Sequence, residues 1–400
     1  MTPGARVAAA IGALDAWLAG EPAERALIRW ARGARYAGSG DRAAVRDHVY
    51  DALRRLRSSA VRGGGMTGRG AMLGLLAGRG EDPAPLFDGR GHAPAPLAPR
   101  EAERLAAPPR LARAEALDVP DWLLPRLDAS LGAEADAVLE ALRHRAPVML
   151  RANLARASRD EAAAALAAEG IAARAHPLSP SALEVTEGAR RVSRSRAYAA
   201  GLVELQDAAS QAAADAVPLG GRVLDLCAGG GGKALALAAR SGRRIHAHDA
   251  DPARMRDLPA RARRAGADIA PLADPREAAP YDVVVADAPC SGSGAWRRDP
   301  EGKWRLTPEG LGALLATQDA ILDAAARLVA PGGAIAFLTC SLLDEENAGR
   351  VAAFEARHRG WTCESRRRIT PLEGGDGFGV AILRHRSARR VEGRGDLSRP

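Results

Sequence analysis

VLDLCAGGGGKALALAA, residues 223–239, is the stretch that decides the architecture. An apolar strand runs into four consecutive glycines, Gly229, Gly230, Gly231 and Gly232, and then into a helix. Glycine reaches positive φ at little cost and lets a backbone approach a ligand closely. At the carboxyl end of a parallel strand, such a turn is where α/β proteins bind cofactors. A phosphate-binding loop is disfavoured, because Lys233 is followed by Ala234, which has no hydroxyl to offer a magnesium ion. A tight turn with no ligand is the bland alternative.

Beyond this turn, apolar strands alternate with helical segments, the pattern of a parallel sheet in an α/β fold of Rossmann-like type. The expected strands are RVLDL (222–226), RRIHAHD (243–249), YDVVVAD (281–287), AIAFLTC (334–340) and GVAILRH (379–385). Their carboxyl ends carry the residues with chemistry. Asp249 falls at the end of the second strand, where an acid can take two ribose hydroxyls or simply cap a helix. The third strand delivers Asp287, Pro289 and Cys290, and the fourth delivers Cys340. A lone cysteine in an apolar strand is usually core filler. Two at strand ends facing one crevice, with an acid beside them, argue for chemistry.

Toward the N-terminus, residues 1–77 read as helical, with Val45, Val49, Leu53 and Leu56 at helical spacing and arginines on the other face. Residues 78–109 are rich in Pro and Gly and read as a long loop or linker. The expected organisation is a helical region with its linker over 1–118, a small α/β (RRM-like) module over 119–200, the Rossmann-like domain over 201–386 and a disordered basic tail over 387–400.

The formal net charge of +8 and pI near 10.0 suit a polyanionic partner, although the Ala, Gly and Arg bias of a GC-rich gene supplies part of that basicity. Of the 57 basic residues only Lys233 and Lys303 are lysine, which suggests places where a compact ammonium is needed. The four cysteines form no CxxC pair, so no metal site is expected and the thiols should stay reduced. No apolar run is long enough for a membrane helix, and the expectation is a cytoplasmic monomer.

DAPCSGSG at 287–294, TCS at 339–341 with the following DEEN, VELQDAASQ at 203–211 and RRDPEGKW at 297–304 occur together and in this order. In this combination the chain resembles the Sun (Fmu) family of RNA cytosine-C5 methyltransferases, in particular the bacterial small-subunit ribosomal RNA methyltransferases, over residues 119–386. The start, with RAAVRDHVYDALRRLR, is similar to the NusB-like RNA-binding domain of those proteins. The resemblance implies an S-adenosylmethionine-dependent methyltransferase acting on RNA. Cys340 would attack carbon 6 of cytosine, Asp287 would hydrogen-bond the ring, and Cys290 would help release the adduct. Cys227, Ala228, Gly229, Gly230, Gly231, Gly232, Lys233, Asp249, Asp274 and Asp287 would contact the cofactor, with Lys233 orienting Asp287 or the cofactor's carboxylate. Arg297, Arg298 and Lys303 would be candidates for RNA phosphate contacts, and Cys363 would be structural.

Two departures stand out. The family loop CAAPGGK reads CAGGGGK here, which should loosen it, and DGFF reads Asp376, Gly377, Phe378, Gly379, which removes an aromatic contact. Two other readings remain open. One is a DNA cytosine methyltransferase with Cys290 as nucleophile; the other is a ribosome-assembly factor that binds RNA without catalysis.

Overall fold

A computed structural model describes residues 1–385, so the expected basic tail lies outside the described residues. Eleven strands form two sheets among the described residues. The smaller sheet contains β1 (Val148–Ala152), β2 (Ala172–Ala175), β3 (Ala182–Glu187) and β4 (Val203–Leu205) in the order β2-β3-β1-β4, all antiparallel. Helix Arg159–Ala167 starts where Ser158 accepts the Glu161 N–H and Glu161 accepts the Ser158 N–H, a reciprocal cap. The helix then lays Ala162 and Leu166 over Leu150 and Leu183 of the sheet and Ile171 just before β2.

The larger sheet contains β5 (Val223–Asp225), β6 (Ile245–Ala247), β7 (Ile269–Pro271), β8 (Tyr281–Asp287), β9 (Val329–Thr339), β10 (Trp361–Ile369) and β11 (Phe378–His385), ordered β10-β11-β9-β8-β5-β6-β7. The five strands from β9 to β7 are parallel, and β10 and β11 close one edge antiparallel. Both faces are buried, as a parallel sheet requires. Val223, Val283, Val285 and Leu338 pack under Leu237 on one face; Leu224, Val284, Ile335 and Phe337 meet Leu322 and Phe354 on the other. Strand order reverses between β5 and β8, the neighbour pair whose carboxyl ends carry the glycine loop and Asp287.

Helices Pro3–Leu18, Ala23–Gly33, Ser39–Arg54, Leu56–Gly63 and Gly68–Gly78 build a separate core around Leu14, Val45, Val49, Leu53 and Met72. The last two touch backbone to backbone: a Cβ on Gly74 would lie 1.9 Å from the Ser59 carbonyl oxygen. The stretch read as a loose linker over 78–109 is instead packed onto this bundle. It contains helix Pro99–Ala106, buries Phe87 in the helical core, and is clamped by Arg69, which binds both oxygens of Glu101 and the carbonyls of Ala95 and Pro96. Its prolines and glycines suit an irregular path, but apolar burial and a fork of arginine hydrogen bonds fix that path.

The bundle is docked on the Rossmann-like part through the segment 297–305. Trp304 Nε1 donates to the Leu53 carbonyl at 2.7 Å, and Lys303 Nζ to the Arg54 carbonyl at 3.3 Å. Glu301 accepts from Trp17 Nε1 at 2.9 Å and from the Ala23 N–H at 3.1 Å. Lys303 is 2% exposed, and burial pushes its ammonium down to about 8. Arg297 is buried against Asp376 at 2.7 Å, and Arg298 binds Asp376 at 2.5 Å and Asp207 at 2.6 Å. The expectation that these cations face RNA phosphates is therefore corrected for Lys303 and Arg297, which are buried; Arg298 is exposed but its guanidinium is engaged by Asp376 and Asp207.

Arg297→Ala removes one of the two arginines on the buried Asp376 carboxylate, leaving Arg298, and is expected to lower unfolding stability by about 1.5–3 kcal/mol. Urea unfolding measures this loss. The salt dependence of RNA binding should not change, and a stable variant with weakened salt dependence would return Arg297 to the phosphate-binding role.

Candidate active site

The glycine turn leaves β5 and enters helix Gly232–Ser241. Gly229 and Gly231 have φ of +50° and +83°, and a Cβ on Gly231 would stand 2.1 Å from Leu258 Cδ1. Only glycine fits there. The turn is tied down in spite of the lost proline. The Gly229 N–H donates to Asp249 at 2.9 Å, the Gly231 N–H donates to the Ala228 carbonyl at 2.8 Å, and Arg261 donates to the Gly230 carbonyl. Arg261 Nη1 lies 2.8 Å from where a Cβ of Gly230 would stand, so an arginine braces the position that the proline occupies in CAAPGGK. The expected loosening is offset by this brace.

Asp249 is 3% exposed at the mouth of this turn, and also accepts from the Asp251 N–H at 3.0 Å and from Arg254 at 3.1 Å. Asp225 lies fully buried beneath. Its Oδ2 accepts the Ala234 N–H at 2.9 Å, while Oδ1 has no partner. Burial first, and the neighbouring Asp287 second, raise its carboxyl to about 7. A glycine cradle, a carboxylate at the second strand end and an orphaned buried oxygen fit a ligand rich in hydroxyl and ammonium donors. Burial pushes the Cys227 thiol up to about 12, which makes it a poor nucleophile and leaves it a wall of this cradle. Asp274 sits after β7 at the rim. Arg276 binds both its oxygens and holds its carboxyl down at about 2.

Lys233, 4% exposed, donates to Asp287 at 3.0 Å and to Ser210 at 2.7 Å, with its ammonium 4.6 Å from the Phe378 ring centroid. It is no solvated helix residue; it fixes Asp287 at the end of β8. Three residues on, Cys290 Sγ lies 3.4 Å from Cys340 Sγ at the end of β9. The contact with Cys340 and burial raise the Cys290 thiol well above its usual range.

What aligns the two cysteine turns is Glu346, a residue whose role sequence reasoning missed. Its carboxylate is fully buried and accepts from the Ser291 N–H at 2.8 Å, Ser291 Oγ at 2.5 Å, Ser341 Oγ at 2.5 Å and Gln318 Nε2 at 3.0 Å. Ser291 follows Cys290 and Ser341 follows Cys340, so one carboxylate grips both turns. Ser293 adds a second tie, its hydroxyl 3.0 Å from Ser341 Oγ. The signal was the second Glu of DEEN, six residues after Cys340, but nothing in one sequence says that this acid points inward. The missing aromatic at Gly379 also has a local cause: a Cβ there would lie 1.9 Å from Asn347 Oδ1, which accepts from Thr339 at 2.6 Å. A hollow of about 290 Å³ lies beside it.

Sheet order, glycine turn and strand-end acids together define a Rossmann-like fold of the S-adenosylmethionine-dependent methyltransferase class. Solved structures agree on the fold. PH0851 superposes with a TM-score of 0.73 at 23% identity, covering 96% of this chain and 99% of its own. A methyltransferase homologue from Pyrococcus horikoshii gives 0.59 at 21% identity, covering 72% of this chain and 100% of its own. The family description "16S rRNA methyltransferase RsmB/F" matches residues 217–386, and the RsmF/B-like ferredoxin-like domain matches 119–192. Ribosomal RNA small subunit methyltransferase B of Xylella fastidiosa strain 9a5c is 35% identical over 314 residues, 71% of this chain and 74% of the relative. The same-named protein of Xanthomonas campestris is 35% identical over 278 residues, 65% of this chain and 63% of its own length. The chain belongs to the RsmB/F family, and its match spans just under two thirds of the Xanthomonas relative.

Glu346→Gln removes the charge from four hydrogen bonds, where charge-assisted bonds are worth about 1.5–3 kcal/mol each. Reduced stability in urea unfolding is expected, together with a lower kcat for methyl transfer at unchanged affinity for S-adenosylmethionine. Full kcat in the variant would show that the two turns align without this carboxylate.

Proposed function

We propose that this protein transfers a methyl group from S-adenosylmethionine to carbon 5 of a cytosine in RNA, with small-subunit ribosomal RNA as the substrate and Cys340 as the nucleophile. The observation that carries the proposal is the pair of thiols 3.4 Å apart at the ends of adjacent parallel strands, beside Asp287. Family membership and relatives named for small-subunit ribosomal RNA support the choice of substrate.

The cofactor, when bound, supplies an electrophilic methyl on a sulfonium. Residues 227–233 and Asp249 would hold it, with Asp249 on the ribose and Asp287 beside the methyl donor; Asp274 would lie near the adenine. Carbon 5 of cytosine is a weak nucleophile until a thiolate adds at carbon 6. Cys340 Sγ forms that bond, and the ring's electron pair shifts to make carbon 5 nucleophilic, which is covalent catalysis. Asp287, oriented by Lys233, hydrogen-bonds the ring at N3 and stabilises the adduct. Once carbon 5 has taken the methyl it loses its proton to a base, the pair returns to the ring and the carbon–sulfur bond breaks. Cys290 is in contact with the sulfur that leaves and assists this release. The two sulfurs are within hydrogen-bond distance, so a protonated Cys290 can donate to the Cys340 sulfur before attack. The cytosine must leave any stack to reach this pair, so the target is single-stranded or flipped.

The two cysteines should separate cleanly in a denaturing gel of protein mixed with RNA and cofactor. Cys340→Ala should give no methylation and no shifted band. Cys290→Ala should accumulate a covalent complex with methylated RNA. The reverse pattern would assign attack to Cys290, the arrangement of DNA cytosine methyltransferases. Wild-type protein inert toward both RNA and DNA would favour a binding factor without catalysis.

A further inference from the structure

Some solvent-facing arginines among the described residues grip a carboxylate, and others, such as Arg35, Arg243 and Arg263, have none. Arg57 grips both oxygens of Asp121, Arg113 those of Asp128, Arg174 binds Glu184 and Arg384 grips Glu364. In one groove, guanidiniums with no carboxylate or a weakly held one come together beside aromatic rings. This groove, of about 770 Å³, opens between the helical bundle and the small α/β module, with Trp30, Arg42, Arg46 and Tyr50 on one side and Arg190 and Arg194 on the other. Arg42 and Arg194 are exposed and have no ion pair among the described residues. Arg46 and Arg190 share the single carboxylate of Asp47 with Arg145, at 3.9, 3.8 and 3.5 Å, and none of the three makes a hydrogen bond to it. Five guanidiniums therefore keep their donors, next to two half-buried aromatic rings.

A second hollow lies near the groove, joined to it through the arginines around Asp47. Arg145 forms part of the wall of this hollow, about 640 Å³, whose far side includes Arg297 and Gly374. Arg297 is bonded to Asp376; the next residue, Gly377, donates its N–H to the Gly294 carbonyl at 2.9 Å; and the Gly294 N–H donates to the Cys340 carbonyl at 3.0 Å. The second hollow thus abuts the scaffold behind the reactive cysteine. Asp47 links the two hollows through its arginines.

We propose that this groove binds a single-stranded stretch of the RNA substrate and feeds it past Arg145 toward Cys340. The proposal rests on the RNA reading given above and adds to it where the strand runs. Unpaired guanidiniums match phosphates, and aromatic rings in a basic groove accept bases of any sequence by stacking. Because the two walls come from different parts of the chain, the groove also gives the helical bundle a role in substrate holding, through its docked position.

The test uses the full-length protein, a fluorescein-labelled 20-nucleotide single-stranded RNA of mixed sequence, and 16S rRNA transcribed in vitro. Arg42→Ala/Arg194→Ala should weaken binding of the 20-mer about tenfold. It should also flatten the plot of log affinity against log salt by about 1.4, at about 0.7 per lost phosphate contact on a single strand. KM for 16S rRNA should rise while kcat and S-adenosylmethionine affinity hold. Arg42→Lys/Arg194→Lys should restore most of the loss. Unchanged affinity and slope in the alanine variant overturn the groove even if the wild type methylates 16S rRNA normally. Loss of methylation only on assembling subunits, with naked RNA unaffected, assigns the groove to a protein partner and also overturns the proposal. A wild type that binds the 20-mer through these arginines yet methylates no RNA would leave the groove standing and remove the catalytic reading.

Discussion

The buried carboxylate of Glu346 is the constraint on which this site depends. Two strand ends in a parallel sheet lie side by side by construction, but the turns that follow are free to diverge. Here both turns carry a cysteine, and a single acid holds the serine after each. The cost of burying that charge is offset by four donors, one of them from Gln318 on helix Pro308–Leu328, which packs behind the sheet. Cys290 and Cys340 are brought into contact by this arrangement, and the position of Asp287 is set separately by Lys233.

Much of the sheet was legible because buried parallel strands are written as unbroken apolar runs. YDVVVAD and AIAFLTC could hardly be anything else, and the residues at their ends were legible with them. Three of the strands that were missed say why. β7 is three residues with a proline at its end, and β10 carries ESRRR on a half-exposed edge, so neither shows the apolar run of a central strand. β2 hides in an alanine-rich, largely exposed stretch. Periodicity reports burial, and edge strands bury little.

The site was read less evenly. Its cysteines and acids were legible by motif, whereas Glu346 and Arg261 act through directions that a sequence does not state. Lysine usage was a better guide than expected, since both lysines are buried, but only Lys233 serves the acid it was paired with. Lys303 is buried in a docking seam, and its arginine neighbours bind Asp376 and Asp207. A basic run after the Cys290 turn looked like a phosphate contact, but Lys303 helps seat the helical bundle and the arginines hold those two acids. The arginines of the proposed groove stand out only by their clustering beside aromatic rings, which a sequence does not show.

The most direct test of the account is to locate the covalent bond. RNA carrying 5-fluorocytosine cannot lose its carbon 5 substituent as a proton, so the adduct should persist after methyl transfer. Tryptic digestion separates the two thiols: Cys340 falls in peptide 328–350 and Cys290 in peptide 277–297. Mass spectrometry of the trapped complex should find the modified cytosine on 328–350. A nucleotide on 277–297 instead would contradict the assignment of Cys340 as nucleophile and the division of labour built on it.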